Sequence, residues 1–208
     1  MIGSSRKPRS IFRSFAPADV VTLANASCGM GAILCCLNRL TGEETRVLRA
    51  VFFLLILAAV FDILDGLIAR RSKRLSILGA DLDSLADIVS FGVALAVLGF
   101  TLGLRGFWDA MILIYFVNCG ISRLARFNVT AIELSDETGK VKYFEGTPIP
   151  TSIVLVAILG VAYWQGRIDG LIPLGSWLVG PAVLHPLTIL YAVSGSLMIS
   201  GSLRIPKP

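Results

Sequence analysis

Residues 51–70 read VFFLLILAAVFDILDGLIAR, an apolar run whose charges are Asp62, Asp65 and the closing Arg70. The run is long enough to cross a bilayer as a helix, which takes about 20 residues. Its carboxylates decide what kind of helix it is. Each costs about 2.5 to 3.5 kcal/mol at the bilayer centre on insertion scales, so two together demand a compensating charge. Asp62, Asp65, Gly66, Ala69 and Arg70 fall at i, i+3, i+4, i+7 and i+8, one stripe of one helix. The next apolar run, ADLDSLADIVSFGVALAVLGF from 80 to 100, repeats the device: Gly79, Asp83 and Asp87 fall at i, i+4 and i+8. A turn over 71–78 makes the two helices antiparallel neighbours with facing stripes. Asp81 lies off the stripe and reads as an interfacial residue.

Four carboxylates converging in a low dielectric cannot all stay ionised alone. Two divalent cations would neutralise them, and hard oxygen ligands suit Mg²⁺, Mn²⁺ or Ca²⁺. Two such ions about 4 Å apart clamp the oxygens of a phosphoryl group during in-line displacement. Gly66, Ala69 and Gly79 leave room for a ligand beside the metals, and Arg70 offers a cationic fork suited to phosphate. Reading the aspartates as ordinary helix-interface polar groups, or as a proton path, leaves the glycines and Arg70 without a role.

Outward from this pair, the apolar residues gather into six runs: 20–37, 47–69, 80–104, 107–124, 150–163 and 178–199. The 208 residues are 55% hydrophobic and 16% charged, with mean hydropathy +0.77. A soluble domain would carry about a quarter charged residues. The expected fold is therefore all-α and integral to the membrane, with six transmembrane helices. A short interfacial helix precedes them, with Ile11, Phe12 and Phe15 on one face and Arg9 and Arg13 elsewhere. This divides the chain into an N-terminal cytoplasmic or interfacial segment, 1–16, and a membrane domain, 17–208.

A net charge of +5 raises the question of nucleic acid. With both termini in the cytoplasm, only Arg39, Arg46, Arg49, Arg105 and Arg167 of the 19 basic residues fall outside, leaving 14 inside. That is the positive-inside asymmetry, and a basic face against anionic headgroups accounts for the charge without nucleic acid. The run to Leu37 is too long for a cleaved signal peptide. Cys28, Cys35, Cys36 and Cys119 lack metal spacing and read as small buried hydrophobes. His185, beside Pro186, reads as a packing residue or helix-bend partner. Asn128-Val129-Thr130 fits a glycosylation sequon on the wrong side of the membrane. Residues 128–146 form the one long polar connection, followed by the restricted backbone of Gly146-Thr147-Pro148-Ile149-Pro150.

Asp62-Ile63-Leu64-Asp65-Gly66-Leu67-Ile68-Ala69-Arg70, then eight residues, then Gly79, Asp83 and Asp87 resembles the signature of the CDP-alcohol phosphotransferase family. That signature is D-x-x-D-G-x-x-A-R followed by G-x-x-x-D-x-x-x-D, and every fixed position matches. The resemblance implies a six-helix core, a homodimer, and a polar cavity open to the cytoplasm of a multi-pass cell-membrane protein. It implies that Asp62, Asp65, Asp83 and Asp87 hold two divalent cations, Mg²⁺ or Mn²⁺, with Asp87 doubling as base toward the acceptor hydroxyl. Gly66, Ala69, Arg70 and Gly79 would line the CDP site. Asn25 would either join them or merely bond a neighbouring helix.

Three softer stretches, Thr22-Leu23-Ala24-Asn25, Ser122-Arg123-Leu124-Ala125-Arg126-Phe127-Asn128 and Gly146-Thr147-Pro148-Ile149-Pro150, are similar to the branch that uses L-serine as acceptor. In that branch the last stretch often reads Gly-Leu-Pro-Ser-Pro, where this chain has Thr147 and Ile149. The resemblance then implies transfer of a phosphatidyl group from CDP-diacylglycerol, or the ether-linked CDP-archaeol, to serine, with release of CMP. Arg123 and Arg126, three residues apart at the end of a span, would hold the serine carboxylate; otherwise they snorkel to headgroups. Glycerol 3-phosphate and inositol phosphate are the alternative acceptors. An ion or proton transporter and a polyprenyl transferase are the alternatives outside the family.

Overall fold

The structure is a computed structural model that describes residues 16–40, 46–71, 77–137, 143–165, 175–200 and 204–206. The interfacial helix expected before residue 16, and most of the turn expected over 71–78, lie outside the described residues. Four helices are long and apolar enough to cross a membrane. They are α1 (Pro17–Leu40), α2 (Arg46–Arg71), a continuous helix over Gly79–Thr101, and the membrane part of α5 (Phe107–Glu137). Two shorter apolar helices follow, Ile149–Trp164 and Pro186–Ile199. The expected all-α membrane fold with six helices is the observed one.

The helix over Gly79–Thr101 is the centre of the molecule. It comprises α3 (Ile77–Asp87), a π-helical turn (Ile88–Val93) and α4 (Ala94–Thr101). Phe91, Leu95 and Leu98 are fully buried on it. The outer helices bury less and turn Val20, Phe53, Ile56, Ile63, Met111 and Ile114 outward, as lipid-facing surfaces do. A π turn widens the helix and frees backbone groups, and its neighbours answer it here. Ser90 Oγ donates to the Asn25 carbonyl at 3.0 Å, and Ser152 Oγ donates to the Phe91 carbonyl at 2.9 Å. Gly29 allows α1 to come this close, because a Cβ there would run into Ser90.

Three boundaries depart from expectation. Helix α5 continues well past residue 124, to Glu137, so the polar connection begins as helix. Strand β1 (Tyr143–Glu145) then pairs antiparallel with β4 (Arg204–Pro206), in register Phe144 to Ile205, tying the C-terminal stretch to the segment before Gly146. Gly146 has φ +76°, and a Cβ there would collide with the Met198 carbonyl, so glycine alone fits.

The third departure is a correction. The run 178–199 is not one helical span: β2 (Trp177–Val179) and β3 (Ala182–Leu184) form a hairpin, and helix α7 occupies only Ile189–Ile199 after a 3₁₀ turn at Pro186–Thr188. Gly180 turns the hairpin at φ +63°. Pro186 has no N–H to continue a helix and forces His185 into an extended conformation, φ −95° and ψ 127°. The remaining spans hold, with α6 (Ile153–Trp164) preceded by a 3₁₀ turn at Ile149–Ser152.

Candidate active site

Helices α2 and α3 bring the two acidic stripes together. Carboxylate oxygens of Asp62, Asp83 and Asp87 all lie within 4.8 Å of one another. Asp87 is 5% exposed, and its Oδ1 has no hydrogen-bond partner. Carboxylates this close are sustained only with protons or a cation between them.

Asp65 is held apart from this trio. It is as buried as Asp87, and its Oδ2 accepts a hydrogen bond from Thr22 Oγ1 of α1 at 2.7 Å. Of the four aspartates expected to converge, three form the cluster and Asp65 lies outside it.

The cluster borders a cavity of about 470 Å³, lined among others by Asp19, Thr22, Asp62, Asp65, Gly66, Ala69, Arg70, Gly79 and Asp83. Every residue that the resemblance assigned to a CDP site on α2 and α3 is therefore on its wall. The space beside Gly66 is open: a Cβ there would meet only Arg70 Nη2, in ordinary contact at 3.9 Å. The oxygen-only, acidic donor set and the unpartnered buried Asp87 Oδ1 fit a hard divalent cation.

Asn25 does not line this cavity. It is fully buried, and neither its Oδ1 nor its Nδ2 has a partner among the described residues. Its backbone carbonyl serves Ser90, so the helix contact expected of its side chain is made by its main chain instead.

The two arginines of α5 part company. Arg123 is half-buried, stacks over Phe127 at 5.4 Å, and is close enough to Asp83 and Asp87 to attract both. Arg126 is exposed. Asp81 is exposed as expected and accepts a bond from Asn128 Nδ2 at 3.4 Å, while Ser84 Oγ donates to Asn128 Oδ1 at 3.2 Å.

Two features go beyond the residues singled out in the sequence. Asp19, Thr22 and Asn25 form a buried polar stripe on α1, and their spacing of three is a signal of the same kind as the spacing in α2. The π turn directly after Asp87 has no comparable signal.

The fold and site define a polytopic membrane protein with a partly buried acidic cluster beside a cavity. Residues 15–190 match the CDP-alcohol phosphatidyltransferase family, and the chain belongs to it. It is 47% identical over 205 residues to the CDP-diacylglycerol–serine O-phosphatidyltransferase of Saccharomyces cerevisiae, an alignment covering 96% of this chain and 73% of the yeast protein. It is 37% identical over 142 residues to the archaetidylserine synthase of Methanothermobacter thermautotrophicus, covering 67% of this chain and 55% of that protein. It is also 37% identical over 150 residues to the CDP-diacylglycerol–serine O-phosphatidyltransferase of Methanocaldococcus jannaschii, covering 71% and 61%. The chain thus matches little more than half of each archaeal relative and about three quarters of the yeast one.

Proposed function

We propose that this protein is a serine O-phosphatidyltransferase: it moves the phosphatidyl group of CDP-diacylglycerol, or of an ether-linked analogue such as CDP-archaeol, to the hydroxyl of L-serine and releases CMP. The observation that carries the reading is the meeting of Asp62, Asp83 and Asp87 beside a cavity walled by Gly66, Ala69, Arg70 and Gly79. The names of the relatives support serine as acceptor and leave both lipid types in play.

In this reading Asp62, Asp65, Asp83 and Asp87 hold two divalent cations, Mg²⁺ or Mn²⁺. When bound, these neutralise diphosphate oxygens and make the phosphorus a better electrophile. Asp87, the most enclosed of the clustered three, takes the proton from the serine hydroxyl, as a positioned carboxylate can. The freed oxygen attacks the lipid-side phosphorus, the P–O bond to CMP breaks, and the electron pair leaves with CMP. Arg70 balances charge on the leaving phosphate. Arg123 takes the serine carboxylate in its two-pronged geometry and so aims the hydroxyl. Arg126 is the lesser candidate for this task. Asn25, fully buried and off the cavity wall, takes no part in binding the nucleotide or serine in this reading. Transfer is direct, so no phosphatidyl-enzyme forms.

Residues 17–208 form the membrane domain. The basic residues orient it with both termini and the site on the cytoplasmic side of the cell membrane. The functional unit is a homodimer, testable by cross-linking in native membranes.

An acceptor panel tests the assignment: purified protein, CDP-diacylglycerol or CDP-archaeol, Mg²⁺ or Mn²⁺, and serine, glycerol 3-phosphate or inositol phosphate, following CMP and lipid product. Serine should give the highest kcat/KM. Preference for either phosphorylated acceptor would remove serine and leave the transferase chemistry standing.

A further inference from the structure

Asp65 is the one signature aspartate outside the close trio, and the residue that keeps it there sits on another helix. Thr22 is 4% exposed and lines the same cavity as Asp62, Asp65 and Asp83. Its hydroxyl has one proton and two acceptors within reach, Asp65 Oδ2 at 2.7 Å and the Ala18 carbonyl at 3.1 Å. The carboxylate takes it, because a bond to an ionised acceptor is shorter and roughly twice as strong as one to a neutral carbonyl. The start of α1 is also pinned: Ala16 N donates to Asp19 Oδ2 at 2.7 Å, the N3 half of a capping box, while Asp19 N donates to the Ala16 backbone carbonyl at 3.0 Å. Thr22 stands one turn further along, on a helix that packs closely along α2.

We propose that Thr22 is a positioning residue for the divalent-cation site: its hydroxyl ties down one oxygen of Asp65, so that the other is presented to the cation. The proposal rests on the reading of the acidic cluster as a metal site. A carboxylate at the end of two rotatable bonds samples many orientations. A hydrogen bond from a buried, helix-fixed hydroxyl removes most of that freedom before the cation arrives. Such outer partners of a metal ligand are worth about 10- to 100-fold in metal affinity. Packing alone would be served as well by valine, which has threonine's shape and no hydroxyl to bury.

The test is equilibrium Mn²⁺ binding to the purified full chain without substrate, followed by the electron paramagnetic resonance signal of free Mn²⁺. Wild type, Thr22→Val, Thr22→Ser, Asp65→Asn and the Thr22→Val/Asp65→Asn double variant are compared. Thr22→Val should bind Mn²⁺ about tenfold more weakly, Thr22→Ser should match wild type, and the double variant should be no weaker than Asp65→Asn alone. Wild-type affinity in Thr22→Val, an equal loss in Thr22→Ser, or a further loss in the double variant would each overturn the proposal. If the valine variant does not fold, Thr22→Ala takes its place beside Thr22→Ser: a tenfold loss in alanine alone supports the role, and wild-type affinity in alanine overturns it. A wild-type protein that takes up no Mn²⁺ defeats the metal reading itself, whereas an unchanged Thr22→Val defeats only the role of Thr22.

Discussion

Asp87 lies in the first half of the central helix, and Asp109 lies just beyond its far end. Both are buried, yet their oxygens meet different surroundings. Asp109 is fully enclosed and every contact is answered. Gly106 N donates to its Oδ2 at 2.8 Å, His185 N to Oδ1 at 2.8 Å and Thr188 Oγ1 to Oδ1 at 2.7 Å, and His185 Nδ1 pairs with Oδ2. That carboxylate is a tether, holding the turn before α5, the end of the β2–β3 hairpin and the start of α7 in one place. Asp87 sits among Asp62 and Asp83 with an oxygen unpartnered. Burying a charge is costly in both places. At Asp109 the fold's own donors offset the cost, and at Asp87 they leave one oxygen unanswered. Satisfaction of the oxygens, more than burial, separates the two carboxylates.

The sharpest way to break this contrast is to remove the charge of each kind of carboxylate. Asp87→Asn should lower turnover by about 10³-fold, because it removes a base as well as a ligand, and Asp83→Asn should be nearly as severe. Neither should lower the thermal midpoint measured in EDTA, since each relieves crowding of like charges. Steady-state CMP release and a thermal melt on the same preparations check both halves. Asp109→Ala should do the reverse. It strands several enclosed donors at a cost on the order of 3 kcal/mol, so the midpoint drops while kcat per folded molecule stays close to wild type. A fall in kcat at an unchanged midpoint would erase the distinction.

Arg123 and Arg126 sharpen the comparison on a smaller scale. Arg123→Lys should raise KM for serine roughly tenfold, about 1.4 kcal/mol, because an ammonium cannot reproduce a two-pronged grip. Arg126→Lys should leave it within about twofold, as Arg126 is exposed and lysine keeps its charge. Equal effects on serine KM would mean that burial near Asp83 and Asp87 does not select the acceptor ligand. The smallest effect belongs to Asp81→Asn, which removes an exposed charge but keeps an oxygen able to accept from Asn128 and should change kcat/KM by less than about twofold.

The acidic stripes are legible because helical periodicity maps sequence spacing directly onto a face: Asp62 and Asp65, like Gly79, Asp83 and Asp87, need no tertiary information. Thr22 carries the same kind of signal, but a threonine in an apolar helix costs little and so does not stand out. The hairpin at Trp177–Leu184 is hidden inside an apolar run, where Leu178, Val179, Val183 and Leu184 suit a strand or a helix equally. Gly180-Pro181 and Pro186 are the breaks that matter. The π turn after Asp87 is a slip in hydrogen-bond register, stabilised by Ser152 some 60 positions away, and local composition does not encode it. The pairing of Asp109 with His185 is equally remote, at 76 positions.

The central claim is that the cluster of Asp62, Asp83 and Asp87 works only with divalent cations bound, and works on a CDP-linked lipid. The direct measurement is CMP release by the purified protein with CDP-diacylglycerol and L-serine, first in excess EDTA and then on titration with Mg²⁺ or Mn²⁺. The account predicts no release above background in EDTA, recovery on adding either cation, and one phosphatidylserine formed per CMP. Undiminished CMP release in EDTA would contradict it.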